Sequence, residues 1–435
     1  MRPLTTKELF RSRLIPMGII GGLFFIFGFI TWLNGALIPF LQIVGQLTET
    51  QALLVAFSFY IAYVVMALPM AWVMERTGYK QAMALGLVMI SIGFLLFIPA
   101  AHSQLFTIFL FAQFVIGTGL TILQTASNPY IVKIGPKETA AVRISIMGLL
   151  NKLAGVIAPL VFTALVLGNF QGIATQSIMA LPADQQVEQI SHLSNALIKP
   201  YFGLAMVLLV LAYCIKRSSL PELELEKTSS QDDDMKTSIF QFPQLTLGVL
   251  TLFMYVGVEV IAGDTIGLFG SKLGVENATS LTSYTMFFMV MGYLSGLVLI
   301  PRVIKQQSAL MASALLGIVI SLLVVNSDPN QSDLSGLLWG WLGIPLLPNT
   351  VTLIALLGLA NALVWPAVWP LALDGLGSFT ARGAALLIMG IAGGAILPLL
   401  YGTLTEYVGG QDAYWIMLPC YLFILFYAVK GHKLR

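Results

Sequence analysis

Helix-length runs of apolar side chains recur along this chain, and nothing else in it narrows the possible folds as sharply. Twelve are legible, at about 15–43, 52–73, 81–100, 105–132, 142–168, 198–215, 243–268, 279–300, 307–325, 349–373, 380–406 and 412–430. Crossing a hydrocarbon layer of about 30 Å takes on the order of 20 apolar residues in a helix. Only a helix or a closed barrel satisfies its own backbone there, and runs of this length exclude the barrel. The expected fold is therefore all-α and integral to the membrane, with twelve transmembrane helices. Composition agrees: 57% of the 435 residues are hydrophobic and 10% are charged, against about 25% charged in soluble domains. That balance excludes cytosolic enzymes, nucleic-acid binders and disordered scaffolds. The first apolar run follows Arg2, Lys7, Arg11 and Arg13. It is far longer than the roughly 7 to 15 apolar residues of a signal peptide, and reads as a retained first span.

Basic residues set the expected orientation. With the N-terminus in the cytoplasm, nineteen of the twenty-two Lys and Arg residues fall on cytoplasmic segments. Lys199 and Lys272 fall on the other side, and Lys152 alone lies within a span. Both termini are thus expected in the cytoplasm. The longest cytoplasmic segment holds the polar stretch EKTSSQDDDMKTS, which suits a linker. The chain accordingly divides into a six-helix bundle at 1–217, a linker at 218–242 and a second six-helix bundle at 243–435. A faint repeat supports the division: Gly155 and Pro159 follow Arg143 at the same offsets as Gly394 and Pro398 follow Arg382.

Charges stranded inside spans normally face a cavity or a partner, because each costs roughly 2.5–3.5 kcal/mol at a helix centre on insertion scales. Lys152, Glu259 and Asp264 are the three here. They read either as a Lys–carboxylate pair bridging the halves or as an ion-coupling set. Gly257, Gly263, Gly267 and Gly270 make local unwinding of the seventh span plausible, and broken helices expose carbonyls to ions. Na+ at Asp264 or Glu259 with such carbonyls is the expected metal site. Neutral polar residues lie at similar depth: Asn34, Gln124 and Asn128 four apart on one face, Asn151, and Asn361 in line with Trp365 and Trp369. Amides that donate and accept, beside a flat aromatic, suit an uncharged hydroxyl-rich ligand such as a sugar; the plainer alternative is polar glue between helices. Cys214 and Cys420 sit in apolar runs, so no disulfide framework or metal knuckle is expected. His102, His192 and His432 fall in connections or at the C-terminus, which rules out an intramembrane histidine relay.

After the second span come Glu75, Arg76, Gly78 and Lys80. They can form a gating charge latch with Arg143 nearby, or be an ordinary basic loop with a glycine cap. This acid–base–x–Gly–x–base turn, with twelve spans and a long central loop, resembles the major facilitator superfamily, a 6+6 pseudo-twofold fold. The second-half counterpart, residues 301–305, lacks the acid and the glycine. A narrower resemblance rests on Trp32–Pro39 (WLNGALIP), Gln124–Tyr130 (QTASNPY), Tyr255–Val260 (YVGVEV) and Asn361–Pro366 (NALVWP). These strings are similar to the bacterial fucose permease and glucose/galactose transporter family. The resemblance implies an ion-driven monosaccharide importer of the inner membrane, with Asn34, Gln124, Asn128, Asn151 and Glu259 at pocket positions. It also implies a departure, since the fucose–proton branch carries Asp where this chain has Gly35 and Glu where it has Gln124. Gln124 is similar to the glucose/galactose branch.

The sequence thus leads to an alternating-access hexose importer, working as a monomer in the lipid bilayer, with Asn34, Gln124, Asn128, Asn151, Asn361 and Trp365 around the sugar. Na+ is the expected coupling ion, with proton symport through Glu259 or uncoupled uniport as alternatives. No organic cofactor, nucleic-acid partner or catalytic triad is expected. A multidrug exporter or a non-transporting sugar receptor are more distant readings.

Overall fold

The structure is a computed structural model and describes residues 15–134, 140–167, 182–218, 220–221, 239–300, 303–376 and 379–434. Basic residues Arg2 to Arg13, most of the expected linker and Arg302 lie outside these. Eleven helices are long and apolar enough to cross a membrane, and a bent pair makes a twelfth. The spans are one, Ile15–Gly45; two, Glu49–Val65 with Ala67–Thr77; three, Tyr79–Ser103; four, Phe106–Lys133; five, Ala140–Val166; and six, Ile198–Arg217. Span seven is Pro243–Lys272, eight Thr282–Leu299, nine Gln306–Asn326 and ten Asn349–Asn361 with Val364–Leu373. Span eleven runs from Thr380 to Val408 through a short 3-10 turn at Gly390–Ala392, and span twelve closes on Met417–Val429. An even number of crossings returns residue 434 to the end of the bundle at which residue 15 begins. That end is called here the terminal end, and its opposite the far end.

Two interruptions have a common cause. Proline has no N–H to donate and its ring crowds the carbonyl four residues back. Pro69 does this to Val65, where span two bends by 55°. Pro366 does it to Ala362, between the two segments of span ten. Span two starts cleanly at a capping box: Thr48 Oγ1 accepts from the Gln51 amide at 3.2 Å, and Gln51 Oε1 accepts from the Thr48 amide at 3.0 Å.

Span seven departs from expectation. It is one unbroken helix of 30 residues, so its glycines do not unwind it. They admit neighbours instead: Gly257 takes Leu397, Gly263 takes Trp32 and Gly270 takes Leu281. Small residues let helices approach closely in lipid, where no hydrophobic force drives them together. Two further helices, Ala183–Ala196 before span six and Asp333–Trp339 before span ten, lie at the far end. The two bundles meet where span two packs on eleven, five on eight and one on seven.

Candidate functional site

The side chains that lipid would reject converge on a cavity between the bundles. Span one contributes Thr31 and Trp32, span two Tyr60 and Tyr63, span four Gln124 and Asn128, and span five Asn151 and Lys152. From the second bundle come Tyr255 and Glu259 of span seven, Tyr293 of span eight, Trp365 of span ten and Ile391 of span eleven. The four-residue step puts Gln124 and Asn128 on one face, and both reach the cavity.

Lys152 and Glu259 pair across the bundles at 2.6 Å. Glu259 Oε1 also accepts from the Tyr255 hydroxyl one turn earlier, at 2.9 Å. The Lys152 ammonium lies 4.5 Å from the centre of the Trp32 ring, a cation–π contact that softens its desolvation. Glu259 is therefore already neutralised by a resident cation and is not an open ligand for sodium. The carbonyls expected to join it are also engaged. The helix keeps its own carbonyls bonded, and those of Ala262 and Gly263 also accept from Thr285 and Thr282. Among the described residues no group of three or more His, Cys, Asp or Glu side chains could hold a metal ion. Asp264 is wholly buried, and neither carboxylate oxygen has a hydrogen-bond partner among the described residues.

The amides divide into two groups. Gln124 Nε2 donates to the Tyr63 hydroxyl at 2.9 Å, and Asn151 Nδ2 to the Phe24 carbonyl at 3.4 Å, each leaving an oxygen for a ligand. Asn34 and Asn361 do not line the cavity. Asn34 is buried within the first bundle, where its Oδ1 accepts from Gln113 at 3.0 Å. Asn361 is buried in the second bundle, where its Oδ1 accepts from the Tyr421 hydroxyl at 2.8 Å. Both act as helix–helix glue. Trp365 does face the cavity, with Tyr255 at 6.3 Å and Trp369 at 5.5 Å between ring centres. Sequence reasoning missed Tyr60, Tyr63, Tyr255 and Tyr293. Their signal was there in part: Tyr255 stands one helical turn before Glu259.

The turn after span two makes first-bundle contacts. Gly78 ends the helix at φ 80°, a left-handed value that glycine adopts at no steric cost. Arg76 stacks over Trp72 at 3.6 Å, Lys80 donates to the Ser218 carbonyl at 3.0 Å, and buried Arg143 donates to the Ile131 carbonyl at 2.9 Å. At the far end the bonds cross between bundles. Glu49 pairs with Lys272, Thr50 donates to Glu406 at 2.7 Å, and the Thr163 and Thr279 hydroxyls share a bond of 2.8 Å.

Twelve spans in two bundles around a polar cleft define a membrane transporter rather than an enzyme. The chain belongs to the Major Facilitator Superfamily, whose family model matches residues 20–409. It is 34% identical to the glucose/galactose transporter of Brucella abortus, over 94% of this chain and 92% of that one. It is 27% identical to the L-fucose-proton symporter of Haemophilus influenzae, over 99% of this chain and 100% of that one. The crystal structure of the transporter FucP in its outward conformation has the same fold: TM-score 0.70, 23% identity, covering 96% of this chain and 98% of FucP.

Proposed function

We propose that the protein imports a hexose of the D-glucose or D-galactose type across the bacterial inner membrane by alternating access. The observation that carries this reading is the cleft itself, with free amide acceptors at Gln124 and Asn151 on one bundle and the Trp365 ring on the other. A pyranose offers hydroxyls to the first and an apolar C–H face to the second, and a few placed polar groups in an aromatic-lined cleft are what fixes such a ligand. Kinship to a protein named for glucose and galactose points the same way. Both termini lie in the cytoplasm in this reading, and the far end faces the periplasm.

Transport is driven by a proton gradient. Sodium needs a shell of oxygen ligands, whereas the carbonyls beside Asp264 are spent and Glu259 is paired. A proton needs only one carboxyl oxygen. The relative from Haemophilus influenzae is itself named a proton symporter.

Purified protein in liposomes tests this. Preloaded D-galactose or D-glucose is expected to drive counterflow of the labelled sugar, and an imposed inward proton gradient to drive its accumulation without sodium. Absence of counterflow with both hexoses overturns the sugar assignment. Accumulation driven by sodium alone, or by neither gradient, overturns the proton.

A further inference from the structure

Two carboxylates stand inside span seven, and their surroundings differ. Glu259 lines the cavity and is neutralised by Lys152. Asp264 is 0% exposed, and both its oxygens lack a hydrogen-bond partner among the described residues. An ionised carboxylate held so, without counter-charge or donor, is costly in a low-dielectric interior. The site becomes tenable when a proton rides on it.

Its position gives that proton a purpose. Val260, one turn earlier on the same face, packs against Gly394 of span eleven, and the Tyr60 ring of span two meets the same glycine. Asp264 thus stands at the joint of spans two, seven and eleven, where the two bundles meet. The titratable groups that act on it are Glu259 on its own helix and Tyr60 from span two. Tyr414, in the short 3-10 turn Asp412–Ile416 that leads into span twelve, is bonded to Thr265 at 2.9 Å. Span one brings Trp32 and Gly35 against Gly263 and Gly267, and no charge. Lys272, two turns on, is paired with Glu49.

We propose that Asp264 carries the coupling proton and that movement of the bundles switches its access from one side of the membrane to the other. This deepens the reading of the protein as a proton-driven sugar carrier and rests on it. With the far end open, an O–H bond forms at a carboxylate oxygen of Asp264, the proton coming from hydronium on that side. The neutral side chain then permits closure, made by Glu49–Lys272 and Thr50–Glu406. With the terminal end open, the O–H bond breaks, its electron pair stays on the carboxylate, and the proton passes to water in the cavity. Tyr60 lines that cavity, and its hydroxyl has no partner among the described residues, so it is placed to relay the proton. No redox change occurs in the cycle.

Asp264→Asn in proteoliposomes separates this from its rivals. The expected result is galactose counterflow that has lost its pH dependence, together with accumulation under a proton gradient that falls to the level without one. Sugar-induced alkalinisation of a weakly buffered exterior should vanish as well. A variant that still accumulates sugar as the unaltered protein does overturns the proposal. If the unaltered protein itself shows no counterflow, the sugar reading falls and takes this proposal with it. Should the variant not fold, infrared spectroscopy of the unaltered protein decides. A protonated-carboxyl C=O band that shifts on carboxyl-13C labelling of aspartate supports the assignment, and its absence overturns it.

Discussion

At the scale of single residues, the outcome turns on which buried polar groups find partners. Lys152 and Glu259 satisfy each other at 2.6 Å. Removing one leaves the other charged and alone in the interior, which costs about 3–5 kcal/mol, whereas replacing both by neutral groups of similar volume is often near neutral. Lys152→Met is therefore expected to lower the melting temperature in detergent sharply, and addition of Glu259→Gln to recover most of the loss. Additive losses in that double-mutant cycle would remove the pair as a stabilising unit. Depth along a helix was legible in the sequence, since all five amides and three charges were placed within spans correctly. What each helix face meets was not, because periodicity fixes a residue's direction without naming its neighbour. Asn34 and Asn361 pair inside their own bundles for that reason, and the cavity tyrosines were lost among ordinary aromatic core. A contrast of variants follows from the same division. Asn151→Ala gives up the proposed sugar contact, worth about 0.5–1.5 kcal/mol, and should weaken sugar-dependent thermal stabilisation. Asn361→Ala should lower basal stability while leaving the sugar-induced shift intact; equal loss of that shift in both would place Asn361 at the ligand.

At the scale of elements, glycine spacing admits two opposite readings. Four glycines within span seven suggested a broken helix, yet the helix is continuous and each glycine is a seat for a neighbour. A sequence shows the missing Cβ but not whether the space goes to backbone freedom or to close approach. The prolines are as ambiguous: Pro69 and Pro366 sit at breaks, whereas Pro39, Pro129 and Pro159 lie inside continuous helices although each lacks the same N–H. Gly35 shows the same economy between bundles. A Cβ there would overlap the Thr282 side chain, so the space beside Gly35 is filled by a hydroxyl of the other bundle. That hydroxyl donates to the Gly263 carbonyl at 2.6 Å. At Gly263 an added Cβ would come within 2.5 Å of the Trp32 ring. Gly263→Ala must push that ring off its seat beneath Lys152, an overpacking cost of about 1–3 kcal/mol. The expected readout is a lower melting temperature with a changed Trp fluorescence spectrum; an unaltered spectrum would mean that the ring does not bear on the glycine.

At the scale of the whole molecule, the bonds that join the bundles form a ladder. It begins at mid-depth with Lys152–Glu259, continues through Ser283 donating to the Val156 carbonyl at 2.7 Å and the Thr163–Thr279 pair, and ends at Thr50–Glu406 and Glu49–Lys272. Among the described residues these rungs run from the cavity wall to the far end, so the conformation seen is closed there. Closure of this kind rests on many small terms and should be easy to tilt. Lys272 is 48% exposed, and an ion pair so open to water is worth about 0–1 kcal/mol; a hydroxyl pair adds about 0.5–1.5 kcal/mol. Lys272→Gln with Thr163→Val should together remove about 1–2 kcal/mol, which changes a two-state ratio roughly 5- to 30-fold. Spin labels on cysteines introduced at Gln51 and Leu273, both exposed at the far end, with Cys214 and Cys420 replaced by serine, would report it by pulsed dipolar spectroscopy. A population at longer distance should grow in the double variant, and raised ionic strength should enlarge it in the parent, where the ion pair is intact, more than in the variant. A distance distribution identical in parent and variant would show that these rungs do not hold the far end shut. The Asp264 proton would then need another gate to separate its two sides.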